Sequence, residues 1–594
     1  MDHLLSSVDS RVCVALLAIG VVTRFTSLNY PCEVAAEEVS VGRSINAYLT
    51  GGEFFVDANP PFGKLLLAGG AWIGGYNGSQ SWARAGEPIV GRNDVFALRA
   101  LPALQGAVLA PLMFLAGRAI GLSYPSALVA SAGVLLDVCC LVEQRHVLTD
   151  ATLLLAVALQ LAATFATDHH APLSPKWWRR AALGGVGVAI ASGTKWAGVS
   201  TLVVPCAHSV LALRRGLACG ERRATLMAEA AARVGLFGLL PLTAHLVTSA
   251  VHLALLPSAG PGASGMTAAF RAALRGGGDD DAEVLSLREA VRRGDASLPG
   301  VLDRIGELTR TMLRADTAME LGERGAPMRW WEWPLMPRSV LHWASEQAPY
   351  VVPPLRPLAR VYSLGNPFVW WLAALAPAAF VVCALFLGTE PTTTEESEED
   401  GGQATTGADP ATRASEAGGA DAPVGGAPAA TEAAPASAPA EASPAVSGDG
   451  EGSSPCTTSM ASSDGARHRS PPLTTSGVVL LLGYAAHWLS CARAGDVRPS
   501  SFLPALLHAL LLAGAVLDLT FLSAPLLRSR VAHDPRIAPL APPCAHHPDG
   551  VRWLVAAATV TAMATGFAHF APLAFGSPMS EAELASRMWL ASWR

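Results

Sequence analysis

Two adjacent carboxylates, Glu37 and Glu38, follow an apolar run and precede Asp57 and a rigid Asn59-Pro60-Pro61. Lys64 and the aromatics Phe54, Phe55 and Phe62 complete the stretch from Arg24 to Trp72. A carboxylate within hydrogen-bond reach of a hydroxyl can remove its proton as that oxygen attacks another centre. Acids beside a membrane surface suit a substrate that is half lipid. The plain alternative is an exofacial loop whose charges are merely solvated. Farther along stand Arg145 and Lys195, cations of the kind that stabilise a developing anion. Arg145 would bring a planar fork and Lys195 a point charge. Pairing of Arg145 with Asp150 or Glu143, and snorkelling of Lys195 to the interface, are their structural alternatives.

Those residues need elements to hold them. Apolar residues make up 51% of the 594-residue chain and charged ones 15%. Apolar blocks near the roughly 20 residues that cross a bilayer recur along it. Only elements that satisfy their own backbone survive in lipid. The expected fold is therefore an all-α polytopic membrane protein with about eleven transmembrane helices. Spans one to seven fall within residues 1–256, with a loop over 24–97. Short spans over 181–192 and 197–213 flank a break at Gly193-Thr194-Lys195-Trp196. Lys/Arg excess marks the cytoplasmic side. Clusters at 176–180, 214–223 and 528–536 put the N-terminus there, and the 24–97 loop and the C-terminus outside. Arg145, Asp150, Lys195 and Trp196 then share an outer face with Glu37 and Glu38. Charges at a membrane edge are costly and mark function.

Residues 257–366 form a hydrophilic outer segment. Leu285, Leu287, Leu298, Leu302, Ile305 and Leu308 recur there at partly helical spacing, which predicts one or two amphipathic helices lying on the membrane. Trp331 and Trp333 suit an interfacial belt better than a sugar platform. An eighth span covers 367–388, and 473–594 carries spans nine to eleven with Trp589 and Trp593 as interface anchors. Residues 389–472 are rich in Ala, Pro, Gly, Ser, Thr and Glu, and read as a disordered cytoplasmic insertion. Asn77-Gly78-Ser79 is a candidate glycosylation site. The net charge of −6 comes largely from the insertion, and no basic patch suits nucleic acid. The ten cysteines are scattered, and Cys139-Cys140 reads as core filler and not a redox site. A channel or transporter would line mid-membrane helices with polar groups and carry an internal repeat, and neither is legible.

Several motifs resemble one family, the protein O-mannosyltransferases. Glu37-Glu38 and Asp57-Ala58-Asn59-Pro60-Pro61-Phe62-Gly63-Lys64 are similar to its acidic pair and its D-x-H-P-P-[FL]-G-K segment. Gln144-Arg145 with Asp150 resembles Q-[ST]-R…D, and Lys195-Trp196-x-Gly198 resembles K-W-x-G. Gly260-Pro261-Gly262, Trp331-Glu332-Trp333-Pro334-Leu335, Gly365-Asn366-Pro367, Leu503-Pro504-Ala505 and the tail Pro572 to Pro578 follow in family order. Six positions depart from it. The pair is Glu-Glu instead of Asp-Glu, Asn59 and Ser40 replace histidines, and Ser500-Ser501-Phe502 stands for His-His-Tyr. The loop over 257–366 takes the place of the MIR β-trefoil modules.

The resemblance implies a multispan glycosyltransferase architecture in the endoplasmic reticulum membrane. It implies dolichyl-phosphate mannose as donor and Ser/Thr-containing secretory polypeptides as acceptors. It also implies a homo- or heterodimer with a family member. Either Glu37 or Glu38 would be the base, with Glu37 favoured by alignment. Arg145 and Lys195, with Asn59, Asp57 and Trp196, would line the donor phosphate and sugar, Asp57 chiefly holding the loop. Direct attack would invert C1. No bound cofactor is called for, and a divalent metal stays open. Two alternatives stand: a weakly active or non-catalytic partner subunit, and a transferase of another lipid-linked sugar or to another acceptor.

Overall fold

A computed structural model describes residues 6–89, 91–277, 281–318, 329–345, 359–387, 472–492, 498–532 and 548–593. The insertion over 389–472 lies outside the described residues, but for its last one.

The first half builds the frame of the site. Helix α1 (Ser7–Phe25) enters it, and α2 (Glu38–Thr50) and α3 (Phe62–Ile73) form the loop beyond. Then come α4 (Arg92–Ala119), α5 (Tyr124–Leu135), α6 (Val138–Arg145), α7 (Asp150–Ala166) and α8 (Pro175–Thr194). Next are α9 (Val203–Ala218), α10 (Arg223–Val234) and α11 (Leu240–Leu255). The outer segment holds α12 (Ala268–Ala272), α13 (Ala282–Arg293) and α14 (Val301–Ala318). It also carries a short antiparallel pair, β1 (Val340–Ala344) with β2 (Arg360–Ser363), registered Val340 to Ser363. That pair departs from the all-helical reading of this segment. The chain closes with α15 (Pro367–Leu387), α16 (Leu473–Ser490), α17 (Leu503–Ala532), α18 (Pro548–Phe575) and α19 (Glu581–Arg587).

Among the described residues, eight helices are long and apolar enough to cross a membrane, or nine if α5 and α6 form one broken span. All eleven expected apolar runs are helical, but α1 and α8 fall outside that group. Asp9, Arg11 and Arg24 dilute α1, and Lys176, Arg179 and Arg180 dilute α8.

The 54° break between α5 and α6 is the structural hinge of the site. A helix end leaves backbone carbonyls without partners. Buried Arg24 of α1 supplies them, donating to Leu135 O at 2.9 Å and Val134 O at 3.0 Å, with Nε on Gln144. Asp137 caps the start of α6 through Cys140 N at 2.8 Å. The same carboxylate accepts from Asn366 N and Trp370 Nε1. The Gly365-Asn366-Pro367 motif thus docks α15 against the break, and Asn366 also donates to Met563 O of α18.

Helices α13 and α14 answer the partly helical spacing. Their buried residues, Val284, Ile305, Leu308 and Met312, join one apolar cluster with Val41, Ile45, Phe54 and Phe270 of the loop region. Of the expected stripe, Ile305 and Leu308 face protein, while Leu285, Leu298 and Leu302 are exposed.

Candidate active site

The acidic pair opens α2, with Glu37 as N-cap and Glu38 as first residue. Consecutive helical side chains diverge by about 100°, so the two neighbours meet unlike surroundings. Glu38 is 0% exposed. Arg99 of α4 grips it with Nε on Oε1 at 2.9 Å and Nη2 on Oε2 at 2.8 Å. The backbone amides of Val147 and Ala35 add a donor to each oxygen, both at 2.9 Å. Burial pushes this carboxyl up, but the Arg99 guanidinium, with the Ala35 amide adding to it, outweighs burial and holds it at about 2. Arg99 also donates to Pro31 O and Glu33 O, so one side chain pins the whole entry to α2. A carboxylate held by four donors is an anchor and is poorly suited to be a base.

Glu37 is half-buried, and its Oε2 accepts from Arg498 Nη1 at 2.5 Å. Arg498 stands just before the single turn Pro499–Phe502 that leads into α17. Strand β1 closes the other side, where Ala36 N donates to His342 O at 2.9 Å. The buried His342 ring has Nε2 3.5 Å from Glu143 Oε1, to which Ser363 Oγ of β2 donates at 3.2 Å. Burial pushes this imidazole down. The Glu143 carboxylate and, more weakly, Glu37 push it up, and the net direction is up. Neither Arg498 nor His342 belongs to a motif, and sequence reasoning missed both. The one signal was a cation beside the divergent Ser500-Ser501-Phe502.

The expected donor cations are engaged otherwise. Arg145 is 2% exposed. It donates to the carbonyls of Arg24 at 2.9 Å, Thr26 at 2.6 Å and Ser27 at 2.9 Å. Its guanidinium also lies 4.6 Å from the Phe575 ring centre. It holds the α1 exit and pairs with neither Asp150 nor Glu143. Lys195 Nζ reaches both Asp150 oxygens, at 2.8 and 2.9 Å, so its cation is paired instead of snorkelling alone.

The remaining expected residues gather around this pair. Asn59 Oδ1 accepts from Trp196 N at 3.4 Å. Asp57 pairs with Lys64 and accepts from Asn59 N at 2.9 Å. Burial raises the Asp57 carboxyl, yet Lys64 leads the opposing effects and leaves it lowered. Gly63 packs so tightly that a Cβ would meet Thr194 and Thr149. Gly198 lies against Ala191, where a Cβ would collide with the carbonyl. These two contacts bring Pro61-Phe62-Gly63 and Lys195-Trp196 to the start of α7. Val147, on Glu38, and Asp150, on Lys195, are three residues apart, so both constellations share one end of the bundle.

Other expected residues lie apart. Trp331 is 49% exposed, as an interface residue would be, while Trp333 is 1% exposed and part of the core. Trp593 is buried as well and donates to Met336 O at 2.9 Å, which fixes the tail; it is no interface anchor. Asn77 is exposed and its Oδ1 accepts from Ser79 N. Among the described residues, no group of three or more His, Cys, Asp or Glu is placed to hold a metal ion.

Two family models match the chain. Dolichyl-phosphate-mannose-protein mannosyltransferase covers residues 14–257. The C-terminal four-helix region of protein-O-mannosyltransferase covers 301–397 and 459–593. Protein O-mannosyl-transferase 1 of Rattus norvegicus is 32% identical over 270 residues, 44% of this chain and 36% of that protein. Dolichyl-phosphate-mannose--protein mannosyltransferase 4 of Candida albicans is 34% identical over 270 residues, 44% of this chain and 35% of the relative. These matches therefore span about a third of each relative's length. In structure, the chain is similar to the S. cerevisiae protein O-mannosyltransferase Pmt1-Pmt2 complex bound to the sugar donor. The TM-score is 0.69 at 15% identity, covering 99% of this chain and 92% of that one. With family models across most of its length, a shared fold and the motifs in family order, this chain belongs to the protein O-mannosyltransferase family.

Proposed function

We propose that this chain transfers mannose from dolichyl-phosphate mannose to Ser or Thr hydroxyls of secretory polypeptides. It works as a multi-pass protein of the endoplasmic reticulum membrane, with the N-terminus cytoplasmic and the acidic loop and C-terminus lumenal. Residues 1–256 form the catalytic module, 257–366 the lumenal segment, and 473–594 the closing spans. The observation that carries the reading is the division of labour at α2. Glu38 is walled in by Arg99 and two amides, whereas Glu37 faces the rim with a carboxylate oxygen on a partly exposed guanidinium.

Glu37 is then the base. The acceptor oxygen bonds to C1 of mannose as its proton passes to Glu37. The C1–phosphate bond breaks with its electron pair leaving on the phosphate oxygen. Attack from the face opposite the leaving group inverts C1. Fixed cations stabilise such a leaving anion. Lys195, oriented by Asp150, with Asn59, Asp57 and Trp196, forms the donor wall. Arg145 acts at one remove, fixing the chain between α1 and the acidic pair.

Purified chain supplied with dolichyl-phosphate mannose and a Ser/Thr peptide should give mannosyl peptide of inverted configuration. Glu37→Gln should lower turnover by at least about a hundredfold. Full turnover in that variant sinks the base assignment. The replaced histidines, at Ser40, Asn59, Ser500 and Ser501, favour a second reading as a weakly active subunit that pairs with a family member. Transfer that appears only with such a relative present would select it.

A further inference from the structure

The base assigned to Glu37 raises a difficulty that only the folded chain exposes. Its Oε2 lies 2.5 Å from Arg498 Nη1, across 461 positions of sequence. A carboxylate oxygen occupied by a guanidinium is not available to a hydroxyl proton. The pair must therefore change before the acceptor is activated. The other expected cations do not hold Glu37 and have partners of their own. Arg145 is walled in by three carbonyls, and Lys195 sits on both oxygens of Asp150. Arg498 keeps a side chain 32% exposed, at the start of the turn Pro499–Phe502.

We propose that Arg498 is a ligand of the donor phosphate that latches Glu37 while the donor is absent. The guanidinium fork suits carboxylate and phosphate oxygens alike. An arriving phosphodiester draws Arg498 from Glu37 at no loss of charge pairing for the arginine. The Glu37 oxygen that Arg498 has left then takes the hydroxyl proton, while Arg498 neutralises the phosphate as the C1–oxygen bond breaks. Donor binding and unmasking of the base become one event, so an acceptor peptide meets an active carboxylate only when a sugar is present. His342, with Nε2 toward Glu143, stays in place beside the vacated oxygen.

The inference rests on the proposed mannosyl transfer, and its test separates the two. Direct binding of dolichyl-phosphate mannose would be measured on purified wild type, Glu37→Gln, Arg498→Gln and Arg498→Lys. The latch requires donor to bind Glu37→Gln at least about fivefold tighter than wild type, the span of an ordinary coupling energy. Arg498→Gln should bind it weaker by at least a similar factor, with Arg498→Lys between. In turnover, Arg498→Gln should raise the donor KM more than the peptide KM. Unchanged or weaker donor binding by Glu37→Gln overturns the latch, and this holds even where wild type proves inactive. Should Arg498→Gln fail to fold, the Glu37→Gln and Arg498→Lys measurements still decide it. Full turnover by Glu37→Gln strikes the base assignment alone.

Discussion

Glu37 and Glu38 are chemically identical neighbours, and their surroundings alone separate them. The Glu38 carboxylate is held below its ordinary 4.5, at about 2, chiefly by Arg99, with the Ala35 amide adding to it. Such a group stabilises the fold above its ordinary value and loses that contribution as pH falls through the folded one. The melting-temperature difference between wild type and Glu38→Gln in detergent should be flat from neutral pH down to 4.5, and shrink toward 2. Arg99→Leu leaves a charge buried without its partner and should cost about 3–5 kcal/mol. A wild-type melt from that variant would show the pair to be decorative. Arg145 teaches the same lesson. Its type suits phosphate, but three carbonyls claim it first.

Elements set which of these charges can meet. The break between α5 and α6 needs carbonyl and amide partners, and Arg24 and Asp137 provide them. That leaves the end of α6 where Arg145 holds the α1 exit. On the proposed donor side, the backbone turn after Lys195 depends on Gly198 lying on Ala191. Gly198→Ala should overpack this contact at about 1–3 kcal/mol. It should also swing Lys195 from Asp150, raising the donor KM more than the peptide KM. Equal effects on both substrates would mean that the turn serves stability alone.

At the scale of the molecule, charge chemistry is divided between two rims. Arg99, about two turns into α4, and Arg118, next to its last residue, stand roughly 28 Å apart at 1.5 Å per residue, near the thickness of a hydrocarbon core. The acidic pair and Lys195 share the Arg99 rim. The proposed orientation puts that rim, and exposed Asn77, in the lumen. Chain made in microsomes should therefore gain a glycan that endoglycosidase removes and Asn77→Gln abolishes. An unglycosylated wild-type chain would count against a lumenal loop.

The spans were legible because lipid demands long apolar helices, and that demand is written residue by residue. The order of motifs was legible for the same reason: each is a local pattern. Most of the residues expected at the site do gather at one rim, yet their pairing was not readable. Contacts such as Glu37 with Arg498, or His342 with Glu143, join segments distant in sequence. The sequence by itself determined the membrane fold and the family. Only tertiary packing decided which carboxylate is walled in and which faces a partly exposed cation, because burial and partner distance belong to the folded chain.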